Sequence, residues 1–232
     1  MAMKNFGLGT ALITPFRKDG SIDFKALAAI VEFQIAGNVD YLVALGTTSE
    51  AATLSKDEKE AVVNLIIEVN NGRKPIILGV GGNNTRTVVD DIKKVPSEVW
   101  GILSVTPYYN KPSQKGLYQH FKEVASATNK PIVLYNVPGR TSVNMTAQTT
   151  LELAADCKNV VAVKEASGNM VQIMDIIRSK EDSFQVISGD DALTLPLIAA
   201  GATGVISVVS NSYPKAFSDV VHLSLQGKFE KA

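Results

Sequence analysis

The sequence is poor in the residues that form disulfides and metal sites. It contains one cysteine, Cys157, and two histidines, His120 and His222, among 232 residues. A single cysteine excludes a disulfide within the chain, and neither histidine has partners at the spacing of a zinc site or a Ser-His-Asp arrangement. We therefore expect no metal site, a packing role for Cys157 at a helix end and structural roles for both histidines.

The sequence also lacks an excess of charge of either sign. Its 23 basic residues balance 23 acidic residues, so no net field attracts nucleic acid or an anionic membrane surface. No apolar run is long enough to span a bilayer, and the first seven residues lack the apolar core of a signal peptide. We therefore predict a cytoplasmic location, with partners that are neither nucleic acid nor membrane.

What the sequence does contain is a regular alternation of short apolar runs and longer amphipathic stretches. The starts of the runs lie about 20 to 34 residues apart, the length of one strand, one helix and two loops. This pattern predicts an α/β fold, a (β/α)8 TIM barrel, although an open doubly wound sheet has the same alternation. The eight runs are Leu8–Thr14, Tyr41–Leu45, Pro75–Val80, Gly101–Thr106, Pro131–Asn136, Val160–Lys164, Phe184–Ser188 and Gly204–Val208.

Helix signals fall between these runs. Ser55 and Glu58 form a capping-box pattern before an apolar face that ends near Asn71. Three further helices are predicted at 24–36, 114–127 and 214–225. We assign residues 1–227 to the barrel and residues 228–232 to the start of a further helix.

Lys164 is the first candidate for chemistry. Active sites of such barrels lie beyond the carboxyl ends of the strands, and Lys164 ends the sixth apolar run. Burial there lowers the pKa of the amine, and a neutral amine can attack a ketone. By position alone, a solvated lysine is the more common case.

Other polar side chains end neighbouring strands. The Tyr135 hydroxyl could pass protons beside Lys164, or it could have a purely structural partner. Thr47 and Thr48 offer hydroxyl groups after the second run, where paired threonines are common. Arg140 lies in a turn after the fifth run and could bind a carboxylate with two hydrogen bonds, although most loop arginines are only solvated.

Several separated motifs, in this order, resemble those of the dihydrodipicolinate synthases, which belong to the pyruvate-dependent class I aldolase and N-acetylneuraminate lyase superfamily. The resemblance extends from Gly7 to the end of the chain. The motifs are Gly46-Thr47-Thr48, Thr106-Pro107-Tyr108-Tyr109-Asn110-Lys111-Pro112, Tyr135-Asn136-Val137-Pro138-Gly139-Arg140-Thr141, Lys164-Glu165-Ala166 and Gly189-Asp190-Asp191.

The resemblance implies a lyase of the diaminopimelate route to lysine. Lys164 would form an imine with pyruvate, with no separate cofactor, and the enamine would attack L-aspartate-4-semialdehyde. Tyr135 would shuttle protons with the help of Thr48 and of Tyr109 from a neighbouring subunit. The last role implies a homodimer, and a tetramer is usual in the family.

The resemblance also implies the binding residues. Arg140 would receive the carboxylate of the aldehyde substrate. Thr47, Thr48, Gly189 and Ile206 would line the pyruvate pocket. Sister enzymes share the lysine and tyrosine but act on sialic acid or sugar-derived keto acids, and the Arg140 loop favours the synthase over such a lyase. A barrel that binds a small acid without catalysis is the third reading.

The sequence departs from the family pattern in three ways. Ser49 occupies a usual glycine position, which places the geometry of the threonine turn in question. Lys56, Lys59 and Thr87 replace the histidines and glutamate of lysine-inhibited members, so we predict weak or absent inhibition by lysine. Residues 228–232 stand where members continue into a small helical domain, and we expect this domain to be absent or truncated.

Overall fold

Short buried strands alternate with helices along residues 6–232, which are the residues that the computed structural model describes. The strands are β1 (Gly7–Ala11), β2 (Tyr41–Ala44), β3 (Ile76–Gly79), β4 (Gly101–Val105), β5 (Ile132–Asn136), β6 (Val160–Glu165), β7 (Gln185–Ser188) and β8 (Gly204–Ser207). The helices are α1 (Phe24–Ala36), α2 (Lys56–Asn70), α3 (Thr85–Ile92), α4 (Gln114–Ser126), α5 (Pro138–Thr141), α6 (Ala147–Asp156), α7 (Met170–Ser179), α8 (Thr194–Ala199) and α9 (Pro214–Leu225). Short 3-10 turns follow β2 at Thr47–Ser49 and β8 at Val209–Asn211.

The strands form a closed barrel in chain order. Each strand pairs in parallel with the next, and β8 pairs in parallel with β1. This closure confirms the predicted (β/α)8 barrel and excludes the open doubly wound sheet. All eight predicted strands are present, and their ends coincide with the prediction or differ from it by at most three residues. The largest difference is in β1, which ends at Ala11 rather than Thr14.

Alternation along the strands sorts side chains between two cores. Ala162, Val133 and Ile206 belong to the cluster inside the barrel, whereas Val163 and Leu134 pack among the helices. Side chains two residues apart share a face of a strand. Lys164 and Tyr135 therefore face the barrel interior, and Glu165 and Asn136 face the helices.

Aromatic side chains close the amino-terminal end of the barrel. The ring of Phe6 contacts those of Tyr41 and Trp100 edge to face, at centroid distances of 5.7 and 6.0 Å. The Tyr41 hydroxyl donates to the Val205 carbonyl at 3.1 Å. A Cβ on Gly9 would lie 2.1 Å from the Tyr41 ring, so the ring occupies the space that the glycine leaves. The carboxyl end is the end that remains open to a ligand.

The helices begin as their capping residues predict. Ser55 and Glu58 form the capping box of α2, with both reciprocal hydrogen bonds present. Cys157 ends α6 and is buried in the helix-facing core, as predicted. His120 lies in α4, and His222 in α9 makes a 2.8 Å contact with Asp40 at the start of β2. Both histidines therefore lie within helices, as predicted.

The two ends of the chain bear on the predicted boundaries. Residues 228–232 form a turn, with the amides of Lys231 and Ala232 donating to the Lys228 carbonyl. Residues 228–232 therefore form a single turn, and no helix extends over them. The prediction of no signal peptide rests on the first seven residues, and residues 1–5 lie outside the described part of the chain. Within residues 6–232, no helix is both long enough and apolar enough to cross a bilayer.

Candidate active site

The amine of Lys164 is buried at the carboxyl end of β6. The residue is 6% exposed and faces the barrel interior. The pKa of the amine is lowered from its ordinary value of 10.5 to about 8, mainly by burial; the Asp191 carboxylate opposes this shift, and the Arg140 guanidinium adds to it. A substantial fraction of this amine is therefore neutral at mildly alkaline pH.

Tyr135 stands beside Lys164 on the neighbouring strand. The two residues are paired in the β5–β6 register, and the lysine Nζ lies 4.2 Å from the centroid of the tyrosine ring. This distance is that of a cation–π contact when the amine is protonated. Burial raises the pKa of the phenol, while a hydrogen bond with the Thr47 side chain and the charge of Arg140 oppose the rise. The structure thus brings together the two residues that the sequence placed at adjacent strand ends.

The two threonines occupy different environments. The hydroxyl group that bonds the Tyr135 phenol belongs to Thr47, whereas the prediction gave the position beside Tyr135 to Thr48. The reason lies in the 3-10 turn of residues 47–49, which directs successive side chains about 120° apart, so that only one threonine can face the phenol. The signal for choosing between them was absent from the sequence, because it depends on the rotation of this turn.

Ser49 fits the turn that carries the threonines. The left-handed conformations of this segment fall on Leu45 (φ 51°) and Glu50 (φ 57°), not on Ser49. The buried Ser49 hydroxyl donates to the Gly46 carbonyl at 2.7 Å. A residue with a Cβ is therefore accommodated where we expected glycine, and the question raised about the turn geometry is answered.

Gly189 directly follows β7, the strand next to the one that carries Lys164, and Ile206 lies in β8. A Cβ on Gly189 would lie 3.0 Å from the Lys164 Cε and 2.7 Å from the Ala166 Cβ. Glycine therefore leaves room for the lysine side chain in its present position. Ile206 is buried in the barrel interior with Tyr135 and Ala162.

A cavity of about 1000 Å³ opens at this end of the barrel. Thr47, Tyr135 and Arg140 line it, and the Lys164 Nζ lies 4.2 Å from the centroid of the Tyr135 ring. The cavity continues into a groove beside α2 that Lys56 and Lys59 line. Lys56 and Lys59 are two of the residues from which we predicted weak or absent inhibition by lysine, and this stays a prediction.

Tyr109 does not join this cluster. Its side chain is 88% exposed, whereas Tyr135 is 6% exposed, and its backbone is left-handed with φ of 75°. Non-glycine residues rarely adopt this backbone conformation, and those that do are often found at functional sites. The outward position is compatible with the predicted contact to a neighbouring subunit.

The structure places around Lys164 three charged or polar residues that are not among the predicted site residues. Asp191 supplies the negative charge that opposes the lowered pKa of the amine, and it accepts hydrogen bonds from the amides of Val208 and Val209. Glu165 and Asn136 are buried directly behind the lysine and the tyrosine. All three were visible in the motifs, but their contacts join distant segments of the chain.

Across residues 6–232, no three His, Cys, Asp or Glu side chains come together as a candidate metal site.

Comparisons with known proteins agree with the resemblance in the motifs. The Dihydrodipicolinate synthetase family matches residues 4–232. A 4-hydroxy-tetrahydrodipicolinate synthase of Parabacteroides distasonis is 56% identical over 227 residues, which are 97% of this chain and 76% of that protein.

Solved structures show the same relationship. The chloride-inhibited dihydrodipicolinate synthase from Acinetobacter baumannii, complexed with pyruvate, superposes with a TM-score of 0.94 at 41% identity, over 99% of this chain and 79% of that one. A monomeric dihydrodipicolinate synthase variant superposes with a TM-score of 0.95 at 41% identity, over 98% and 77% of the two chains. With the family match spanning nearly every residue and the barrel shared throughout, this chain belongs to the dihydrodipicolinate synthetase family.

Proposed function

We propose that the protein condenses pyruvate with L-aspartate-4-semialdehyde to give 4-hydroxy-tetrahydrodipicolinate, through an imine on Lys164. Family membership supports the choice of reaction. We choose Lys164 as the nucleophile because its buried amine lies over the Tyr135 ring at the open end of the barrel. A lysine with a lowered pKa, placed in a largely apolar site, is a suitable nucleophile towards a ketone.

The first half of the reaction uses the lysine and the phenol. The neutral amine attacks the C2 carbonyl of pyruvate, and the carbinolamine loses water to give the imine. The carbonyl oxygen must gain protons before it leaves as water, and the nitrogen must lose them. We assign the transfer of these protons to the Tyr135 hydroxyl, a role supported by its hydrogen bond with Thr47 and by the contact of its ring with the lysine amine.

The second half adds the other substrate. Loss of a proton from the pyruvate methyl group gives an enamine, whose carbon attacks the aldehyde carbon of the semialdehyde. The amino group of that substrate then attacks the imine carbon, closing the ring and releasing Lys164 as the free amine. Arg140, which lines the cavity, is the cation available for the carboxylate of the aldehyde substrate.

Covalent capture of pyruvate tests this proposal. We expect incubation with pyruvate followed by borohydride reduction to add a single adduct, located on Lys164 by peptide mass mapping. Lys164→Ala is the control and should remain unmodified. An adduct on another lysine, or no adduct on the wild-type protein, would contradict the proposed nucleophile.

A coupled assay with both substrates separates condensation from the lyase alternative. We expect steady consumption of pyruvate only when the semialdehyde is present. Cleavage of a sugar-derived keto acid to pyruvate, with no reaction of the semialdehyde, would instead favour the lyase. Reversible pyruvate binding without capture would favour a non-catalytic barrel.

A further inference from the structure

A buried polar pair lies on the outer face of the two strands that carry Lys164 and Tyr135. Asn136 and Glu165 directly follow Tyr135 and Lys164, and the two are paired in the same β5–β6 register. Both are buried, with Glu165 1% exposed. The Asn136 Nδ2 donates to the Glu165 Oε1 at 2.8 Å. This hydrogen bond therefore joins the strand ends immediately behind the lysine and the tyrosine.

The Glu165 carboxylate acts only as an acceptor in its four hydrogen bonds. Asn136 and the Gln172 Nε2 donate to Oε1 at 2.8 and 3.1 Å, and the Ser167 hydroxyl and amide donate to Oε2 at 2.7 and 3.3 Å. Burial raises the pKa of this carboxyl, and the four hydrogen bonds oppose the rise. Because an ionised carboxylate only accepts hydrogen bonds, this set of partners suits the charged form.

The same pair fixes the loops around the active site. The Asn136 Oδ1 accepts from the Met145 amide at 2.9 Å, and its Nδ2 also lies 2.8 Å from the Asn144 Oδ1. These contacts hold the far end of the loop that begins with α5 and carries Arg140. Ser167 and Gln172 extend the network to the loop after β6 and to α7. Burying a carboxylate without a cationic partner is costly, so a hydrophobic pair would serve packing alone at lower cost.

We propose that Glu165 and Asn136 form a positioning pair that holds the Tyr135 phenol against the Lys164 amine. The inference rests on the proposed function, because it concerns the proton transfers of imine formation. Neither side chain faces the barrel interior, so both act through the backbone positions of their neighbours. Loss of the pair changes the distance and angle between amine and phenol, to which proton transfer is sensitive.

Replacing Glu165 with glutamine gives the principal test. Glu165→Gln keeps the shape but removes the charge and replaces one acceptor oxygen with an NH2, which has to face either the Asn136 and Gln172 amides or the Ser167 backbone amide, so the network loses at least one hydrogen bond. We expect the rate of pyruvate capture and kcat to fall about 10- to 100-fold, with the KM for pyruvate changed less than about 3-fold. The pH profile of capture should also shift, because the phenol no longer keeps its position. Glu152→Gln is a matched control, since Glu152 accepts from the Gln148 amide on an exposed helix surface.

A reciprocal exchange supplies a rescue. In Asn136→Asp combined with Glu165→Gln, a carboxylate again faces an amide donor across the two strands. We expect the double variant to capture pyruvate at least about 5-fold faster than Glu165→Gln alone. Two substitutions with independent effects would not give this recovery. Ser167→Ala, which removes one donor only, is the milder variant if Glu165→Gln does not fold, and we expect about a 3-fold loss of capture rate.

The outcomes separate the two proposals. If wild-type protein is not captured by pyruvate, the proposed function fails and the positioning role fails with it. If wild-type protein is captured and folded Glu165→Gln, or Ser167→Ala in its place, reacts at the wild-type rate with only a lower melting temperature, the pair is merely structural and this inference alone is overturned.

Discussion

At the scale of single residues, the buried lysine has an energetic consequence. Its pKa in the folded chain is about 8, against an ordinary value of 10.5. Below pH 8 the amine is protonated in both the folded and unfolded chains, and folding then carries the full cost of burying the charge, about 3 kcal/mol at most. The cost diminishes as the pH rises from about 8 to 10.5, because the folded chain loses its proton first.

We therefore predict that Lys164→Met stabilises the protein at neutral pH. The gain in the free energy of unfolding should approach about 3 kcal/mol at pH 7 and become smaller between pH 8 and 10.5. Denaturant unfolding of both proteins at several pH values measures it. Lys158→Met, at an exposed position, is the control and should show little gain. A gain for Lys164→Met that does not depend on pH would mean that the charge of this amine is not the cause.

The threonine turn gives a second prediction at this scale. Thr47 bonds the Tyr135 phenol, so Thr47→Val should lower kcat about 10-fold or more, whereas the matched Thr48→Val should have a smaller effect. Steady-state kinetics of the two variants provide the comparison. The reverse order of effects would return the proton-transfer role to Thr48, as the sequence resemblance first implied.

At the scale of elements, close packing inside the barrel makes β1 sensitive to one methyl group. A Cβ on Gly9 would overlap the Tyr41 ring, which is buried and hydrogen-bonded to β8. We predict that Gly9→Ala lowers the free energy of unfolding by roughly 1 to 3 kcal/mol, because the ring or the strand must move. Gly139→Ala, where a Cβ meets open space, should change it little. Equal thermal stability of the two variants would show that the ring moves aside without cost.

The elements were largely predictable, whereas contacts between them were not. Short apolar runs, separated by amphipathic stretches with helix signals, predicted all eight strands and placed Lys164 and Tyr135 at adjacent strand ends. The choice between barrel and open sheet needed the pairing of Gly7 with Gly204, which local patterns do not encode. The same holds for Thr47 against Thr48, and for the Asp191 charge near Lys164, because each depends on a long-range contact.

At the scale of the whole molecule, Tyr109 raises the question of assembly. Its exposed side chain was predicted to complete the site of a neighbouring subunit, and a related synthase variant is monomeric. The chain corresponds to about three quarters of the length of its relatives, so the oligomer must be measured on this chain itself.

Mixing two defective variants tests whether Tyr109 acts across subunits. Lys164→Ala and Tyr109→Phe should each have low activity alone. In a mixed dimer, the subunit with an intact Lys164 receives an intact Tyr109 from its partner, so an equal mixture after subunit exchange should recover about one quarter of wild-type activity. Mass measurement by light scattering determines in parallel whether the chain forms a dimer. If the mixture is no more active than its components added together, Tyr109 does not act from the partner.

The central claim is that the barrel holds the Lys164 amine partly neutral near physiological pH and that this amine captures pyruvate. The most direct measurement is the rate of covalent capture of pyruvate, followed by borohydride trapping and mass spectrometry from pH 6 to pH 11. We expect the rate to rise with pH with a midpoint near 8, where the folded amine loses its proton, and the adduct to be confined to Lys164. A midpoint at the ordinary lysine value of 10.5, or an adduct elsewhere, would contradict it.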